Sequence, residues 1–156
     1  MGVVNDVFDQ VTVMALEDWG MMMVEPTEAS SVIFNEGEDL YLGSTEFHGV
    51  MHGSIKFLCG HPFMNCLCRN LLGLDEDEEI SEEQSQDALK ELMNVFCGNF
   101  LTETYGDDTV FELVYPEVVH ASEEEKSKFW ASRLIHCFLA DDEPIAIALG
   151  SKKDRS

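Results

Sequence analysis

The sequence predicts a mixed α/β (α+β) domain. Residues 6–19 and 82–104 space their apolar side chains three and four residues apart, which is typical of helices. Residues 40–58 and the last third of the chain alternate apolar and polar side chains, which is typical of strands. A short segment that opens at Pro62 adds a further helix. The expected order is therefore a helix, two strands, two helices and three strands.

Glycines and prolines divide the first half of the chain. Asn5 is placed to cap the first helix, and Gly20 is placed to end it. Gly49 marks the turn between the two expected strands. The next helix should begin near Pro62, because proline is favoured in a first helical turn, and it should stop at Gly73.

An acidic run, "LDEDEEISEEQSQD" at residues 74–87, precedes the long helix. We interpret it as a solvated loop and helix start, because carboxylates near a helix N-terminus suit the helix dipole. Ser81 and Gln84 match the pattern of a capping box, and the helix should run until Gly106.

The last third of the chain is expected to form three strands. "TVFELVYPEVV" is strand-like up to Pro116, "FWASRLIHCFLA" alternates, and "IAIALG" pairs back across the turn "DDEP". Residues 1–150 suit a single domain with one core, and residues 151–156 are expected to be a flexible tail. The two halves resemble weak copies of one helix-and-strands unit, although no residue-level repeat is visible.

The composition argues against several classes of partner. The formal net charge is −22, from 31 acidic and 9 basic residues, which disfavours nucleic acids and anionic membrane surfaces. The apolar stretches are too short to span a bilayer. The number of cysteines, 5, is odd, and we recognise no secretory signal, so we expect a reduced, cytoplasmic protein.

The long helix has two contrasting faces. At about 100° per residue, four residues opposite the apolar face fall within an arc of roughly 60°: Asp87, Glu91, Asn94 and Gly98. Glycine costs about 1 kcal/mol relative to alanine in a helix interior, and asparagine is also a poor helix former. This stripe is either an ordinary solvated face or a docking surface that another backbone approaches closely.

An exposed carboxylate and carboxamide together suggest one kind of chemistry. A carboxamide can hold a water molecule through one donor and one acceptor, and a carboxylate can pair with a lysine. Phosphoryl transfer depends mainly on positioning and charge stabilisation. The pair would therefore suffice to hydrolyse a phosphoryl group on a partner that already supplies the metal and the cations.

Other groups of reactive side chains have simpler explanations. Cys59, His61, Cys66 and Cys68 crowd together but lack the spacing of a zinc site. We therefore expect buried apolar cysteines and no metal bound by this chain. The methionines at residues 21–23 are expected to fill the core.

The segment "DALKELMNVFCGN" resembles the motif Asp/Ser-x3-Glu-x2-Asn, with a trailing Gly-Asn, of the CheC/CheX/FliY chemotaxis phosphatases. It looks most like the CheX branch. "GVMHGSIKFLCG" resembles the glycine-rich first hairpin of that branch, and "VFELVYPEVV" resembles its proline-ending strand. The resemblance spans roughly residues 10–150. It implies long antiparallel strands that form a sheet packed against two long helices, with a pseudo-repeat of helix–strand units.

The resemblance also implies an enzyme that removes the phosphoryl group from an aspartate of a CheY-type receiver domain. By position in the motif, Glu91 would pair with the active-site lysine of the receiver, and Asn94 would orient the attacking water. Asp87 matches the first motif position, and Gly98 and Pro116 would belong to the partner-binding surface. This chain would bind no cofactor, because the Mg2+ would belong to the receiver domain.

Helix 1 offers Glu17 and then Gly20 where the motif would need asparagine. One active face is therefore expected, as in the CheX branch. CheX-like proteins form homodimers through sheet edges, which implies a homodimer here. The alternatives are a non-catalytic adaptor of the same fold that binds receivers or flagellar components, and an acidic dimeric scaffold without a receiver partner.

Overall fold

The computed structural model describes residues 2–27, 39–132 and 134–152. This part of the chain contains four α-helices, a π-helix and seven strands. In chain order they are α1 (Gly2–Met14), the π-helix (Ala15–Trp19), β1 (Val24–Thr27), β2 (Leu40–His48), β3 (His52–Gly60), α2 (His61–Leu72), α3 (Glu82–Tyr105), β4 (Glu112–Leu113), β5 (Glu117–His120), α4 (Glu123–Trp130), β6 (Leu134–Ala140) and β7 (Glu143–Lys152).

The strands form one antiparallel sheet in the order β1-β6-β7-β3-β2-β4, and β5 also pairs with β2. The hairpin expected within residues 40–58 is present as β2 and β3. At the centre, β3 and β7 pair from His52–Lys152 to Cys59–Ile145. The expected sheet of long antiparallel strands is therefore confirmed.

The order of the strands shows an internal pseudo-repeat. Each half of the described chain contains a helix (α1 or α3), short edge strands (β1, or β4 and β5) and a hairpin (β2–β3 or β6–β7). The edge strand of each half pairs with the hairpin of the other half, β1 with β6 and β5 with β2. β3 and β7 join the two halves at the centre. The pseudo-repeat is thus confirmed in the topology, because the same arrangement occurs twice.

One face of α3 is packed onto the sheet and onto α1. Its apolar side chains are at most 1% exposed: Leu89, Leu92, Met93, Phe96 and Phe100. Burial of each such side chain contributes about 1.5–3 kcal/mol to folding. Phe8 of α1 contacts Phe96 and Phe100 edge to face, with ring centroids 5.3 and 5.6 Å apart. These contacts determine which face of α3 is left to point outward.

The ends of α2 and α3 follow the predicted signals. Ser81 and Gln84 form a capping box, with both side-chain-to-backbone hydrogen bonds at 3.0 Å. At the other end of α3, Gly106 has φ 91°, which favours glycine. α2 has Pro62 in its first turn and ends at Gly73, which adopts the left-handed conformation with φ 65°.

A polar cluster fastens the start of α3 to the sheet. The hydroxyl of Tyr41, on β2, donates to Glu82 Oε1 at 2.7 Å. The same carboxylate oxygen lies 3.0 Å from Nε2 of His120, on β5. The ring of His61, the first residue of α2, stacks on Tyr41 with centroids 5.2 Å apart. Three elements therefore meet at the first turn of α3.

The last third of the chain contains a helix that the alternation does not predict. α4 covers Glu123–Trp130, so Phe129 and Trp130 are helical, and the strand expected from residue 129 begins only at Leu134. Ser122 and Glu125 form a second capping box. The local Ser-x-x-Glu signal outweighs a short alternating pattern, because the cap satisfies two backbone donors that would otherwise be unpaired.

Several boundaries also differ from the prediction. α1 begins at Gly2, so the prediction that Asn5 caps it is wrong. The short strand β1 was not predicted, since it contains Pro26, which an edge strand tolerates. Ser151 and Lys152, the first two residues of the expected tail at 151–156, belong to β7 and pair with β3. Residues 153–156 lie outside the described residues.

The prediction that the methionines at 21–23 fill the core holds for one of them. Met22 is 3% exposed, whereas Met21 and Met23 are 59% and 81% exposed. Across the portions of the chain that the structure describes, no helix is both long enough and apolar enough to cross a membrane.

Candidate functional site

The outer face of α3 carries the residues of the predicted stripe. Asp87, Glu91 and Asn94 are exposed and Gly98 is half-buried, and all four belong to one uninterrupted helix. Residues three apart on a helix are neighbours, with Cβ atoms about 5–6 Å apart. The fold therefore brings the carboxylate of Glu91 and the amide of Asn94 side by side, facing outward.

Glu91 has a hydrogen-bonding partner that sequence reasoning missed. The Tyr115 hydroxyl donates to Glu91 Oε1 at 3.1 Å, although 24 residues separate the two. The hydrogen bond to Glu91 raises the pKa of the Tyr115 hydroxyl, so the hydroxyl remains a donor at neutral pH. The Tyr115 side chain itself is 58% exposed. Its position next to Pro116 was the available signal in the sequence.

The chain around Tyr115 is anchored to β2 on both sides. The Val114 N–H donates to the carbonyl of Glu46 at 2.9 Å, and the Val114 carbonyl accepts from the Thr45 hydroxyl. Pro116, which follows, is buried, and β5 then pairs with β2. The predicted distal proline thus lies beside the site without being exposed there, and it helps to determine the path of the chain at Tyr115.

The two ends of the stripe differ in their surroundings. Asp87 Oδ1 lies 3.9 Å from Lys90 Nζ, and because the aspartate is exposed to solvent this pair contributes little to stability. At Gly98, an added Cβ would meet no atom within 4 Å apart from the adjacent residues and the backbone of its own helix. The glycine is therefore not explained by packing within the described residues, and the space above it is open to a partner.

The cysteines and the histidine considered for zinc lie at the end of β3 and on α2. Among residues 2–27, 39–132 and 134–152, no group of three or more His, Cys, Asp or Glu side chains could hold a metal ion. Cys59 and Cys68 are buried. Burial, together with the hydrogen bond from Cys66 Sγ to Asp141 Oδ2 (3.5 Å), raises the pKa of the Cys66 thiol to about 11.

Comparisons with known proteins identify the family. Residues 41–138 match the family described as chemotaxis phosphatase CheX. CheX from Desulfovibrio desulfuricans has a similar structure, with a TM-score of 0.70 at 15% identity over 96% of this chain and 99% of its own. CheX from Vibrio vulnificus gives a TM-score of 0.71 at 16% identity over 96% of each chain. No curated protein matches the sequence significantly.

A third similar structure is described as a CheX–CheY–BeF3–Mg2+ complex from Borrelia burgdorferi. The TM-score is 0.67 at 17% identity, over 94% of this chain and 96% of that one. At such identities these structures establish the fold, whereas the family match rests on the sequence itself. That match covers more than half of the chain and contains the whole stripe of α3. By its sequence as well as by its fold, the chain belongs to the CheX family of chemotaxis phosphatases.

Proposed function

We propose that this protein hydrolyses the aspartyl phosphate of a CheY-type receiver domain. The observation that carries the proposal is the shared exposure of Glu91 and Asn94 on α3, in a member of a phosphatase family. A similar structure that contains CheY with BeF3 and Mg2+ supports a CheY-like partner.

In the proposed reaction, the Asn94 amide enters the receiver's active site and orients a water molecule. That water attacks the phosphorus, the bond to the aspartate oxygen breaks, and the products are inorganic phosphate and the aspartate carboxylate. Because phosphoryl transfer depends mainly on positioning and charge stabilisation, one water-orienting amide is a sufficient addition to the receiver's own groups. In this proposal the receiver supplies the Mg2+, and no step requires a metal ion bound by this chain.

The role proposed for Glu91 is to dock the receiver by pairing with its active-site lysine. A charge-assisted hydrogen bond between an ammonium and a carboxylate is stronger and shorter than a neutral one. Asp87, one turn earlier, adds negative charge to the same face. The open space at Gly98 would let the receiver backbone approach the helix closely.

A cytoplasmic location and a homodimer are part of the same proposal. The cysteines of the described chain are free, which suits a reducing compartment such as the cytoplasm. Dimerisation would use an edge of the sheet, at β1 or at β4 and β5. Light scattering coupled to gel filtration would give the mass in solution, and a monomer at micromolar concentration would contradict the dimer.

The phosphatase proposal is tested with CheY-type receivers from the same organism as this protein. They are phosphorylated with acetyl phosphate in the presence of Mg2+. The protein should accelerate the release of phosphate from one of them. Asn94→Ala should remove most of the turnover and leave much of the binding, because the amide acts on the water. Glu91→Ala should weaken both.

The matched control is Asn65→Ala, which removes a half-buried asparagine side chain from α2, outside the motif of α3. It should retain the activity of the parent. If Asn94→Ala were as active as the parent, the water-orienting role would be wrong. If the parent bound a phosphorylated receiver without hydrolysing it, the adaptor alternative would be correct.

A further inference from the structure

We propose that Tyr115 is a positioning residue for receiver binding, whose hydroxyl holds the Glu91 carboxylate in the orientation that meets the receiver's lysine. This inference rests on the function proposed above and assigns a role to a residue outside the helical motif. Its basis is the hydrogen bond of 3.1 Å between the Tyr115 hydroxyl and Glu91 Oε1.

An exposed glutamate needs such support, because its side chain has three rotatable bonds. The rotamer freedom that it loses on binding opposes association. A tyrosine has only two side-chain torsions and a rigid ring, so a hydrogen bond from its hydroxyl restricts the glutamate before the partner arrives. The carboxylate has a second oxygen, Oε2, which can accept from the lysine while Oε1 is held by Tyr115.

The tyrosine can act as a support because its own backbone is held. Val114 is hydrogen-bonded to β2 through both its N–H and its carbonyl, and Pro116 is buried before β5 begins. The Glu91 carboxylate is therefore positioned by the sheet, through Tyr115, as well as by α3. The buried proline then contributes to receiver binding indirectly, by determining where the tyrosine stands.

The charge state of the pair also suits a supporting role. A neutral hydroxyl can donate to the carboxylate without cancelling its charge, so the negative charge remains available to an incoming ammonium group. The hydrogen bond to Glu91 raises the pKa of Tyr115, so the hydroxyl is neutral at neutral pH. A lysine or arginine at position 115 would instead compete with the receiver for Glu91.

The test uses Tyr115→Phe, which removes only the hydroxyl. Affinity is measured with a CheY-type receiver domain loaded with BeF3 and Mg2+, and turnover with the phosphorylated receiver. The dissociation constant and KM should both rise about three- to tenfold, as expected for one hydrogen bond. The kcat should stay within about twofold of the parent, because the water is oriented by Asn94.

Tyr105→Phe is the matched control, since it removes the hydroxyl of a tyrosine whose Cα lies about 16 Å along the helix axis from that of Asn94. It should bind the receiver as the parent does. Thermal unfolding of both variants is measured to test whether the fold is retained. Partial unfolding of Tyr115→Phe would lower its apparent kcat and leave its KM unchanged. A rise in KM with an unchanged kcat therefore distinguishes the proposed role from a loss of stability.

A double-mutant cycle shows whether Tyr115 acts through Glu91. In a Glu91→Ala background, Tyr115→Phe should have no further effect on affinity. An equal loss in both backgrounds would overturn the inference, as would a parental KM in the single variant. If the parent and Glu91→Ala do not differ on any receiver, the proposed function fails as well. If they differ and Tyr115→Phe matches the parent, only the inference fails.

Discussion

Gly43 of β2 lies directly beneath Met93 of α3, and a Cβ at residue 43 would overlap the Met93 sulfur. Met93 is completely buried, so it has little room to move away. A side chain at residue 43 would also contact Leu89, whose Cδ2 lies 3.5 Å from the Cβ position. The glycine therefore determines how closely α3 approaches the sheet.

We predict that Gly43→Ala destabilises the protein by about 1–3 kcal/mol, because the added methyl group overpacks the contact between α3 and β2. Thermal or urea unfolding measures the change. In a Met93→Ala background, where the space is open, the cost should disappear. If Gly43→Ala were as destabilising in that background, the contact with Met93 would not be its cause.

Gly98 offers the opposite case, since the space for a side chain is open. Gly98→Ala should stabilise the isolated protein by about 1 kcal/mol, because alanine is the better helix former. If the receiver backbone approaches here, the same variant should bind the receiver more weakly. Unfolding and binding are measured on one preparation. Unchanged binding with raised stability would place Gly98 outside the docking surface.

The stability of the protein should decrease in acid partly because of Glu82, at the start of α3. The hydrogen bond from Tyr41, and then that from His120, lower the pKa of the Glu82 carboxyl in the folded state. A lowered folded-state pKa contributes stability above the unfolded-state value, about 4.3, and that contribution is lost as the pH falls through the folded-state value. Glu82→Gln should therefore lower the melting temperature at neutral pH, with a smaller difference in acid.

The control for this prediction is Glu83→Gln, which removes a neighbouring exposed carboxylate from the same helical turn. It changes the interaction with the helix dipole in a similar way but leaves the contact with Tyr41 intact. A drop of the same size in both variants, at every pH, would show that the hydrogen bond from Tyr41 contributes nothing specific.

The Cys66 thiol should be alkylated slowly, even though the residue is only half-buried. Burial is the main cause that raises its pKa to about 11, and the hydrogen bond to Asp141 is the second. Since the thiolate is the reactive form, alkylation at about pH 8 should be roughly tenfold slower than for an unperturbed thiol, because the greater nucleophilicity of a high-pKa thiolate only partly offsets its smaller population. Mass spectrometry after timed iodoacetamide treatment measures the rate. A rate near that of glutathione would contradict the prediction.

Much of α3 could be predicted because its determinants are local. The capping box of Ser81 and Gln84 and the break at Gly106 lie within a few residues of the helix ends. Helical periodicity then places Glu91 and Asn94 opposite the buried face. α4 was missed because its short alternation favours a strand, although Ser122 and Glu125 carried a capping signal.

The sequence alone therefore determined the long helix, its two faces and the outward position of Glu91 and Asn94, because an α-helix repeats its geometry from one turn to the next. Only the tertiary structure decided that β1 pairs with β6, that Gly43 lies beneath Met93 and that Tyr115 reaches Glu91. These contacts join residues far apart in the chain. They depend on how the strands pair and on how far a loop can reach, and neither is encoded in a local pattern.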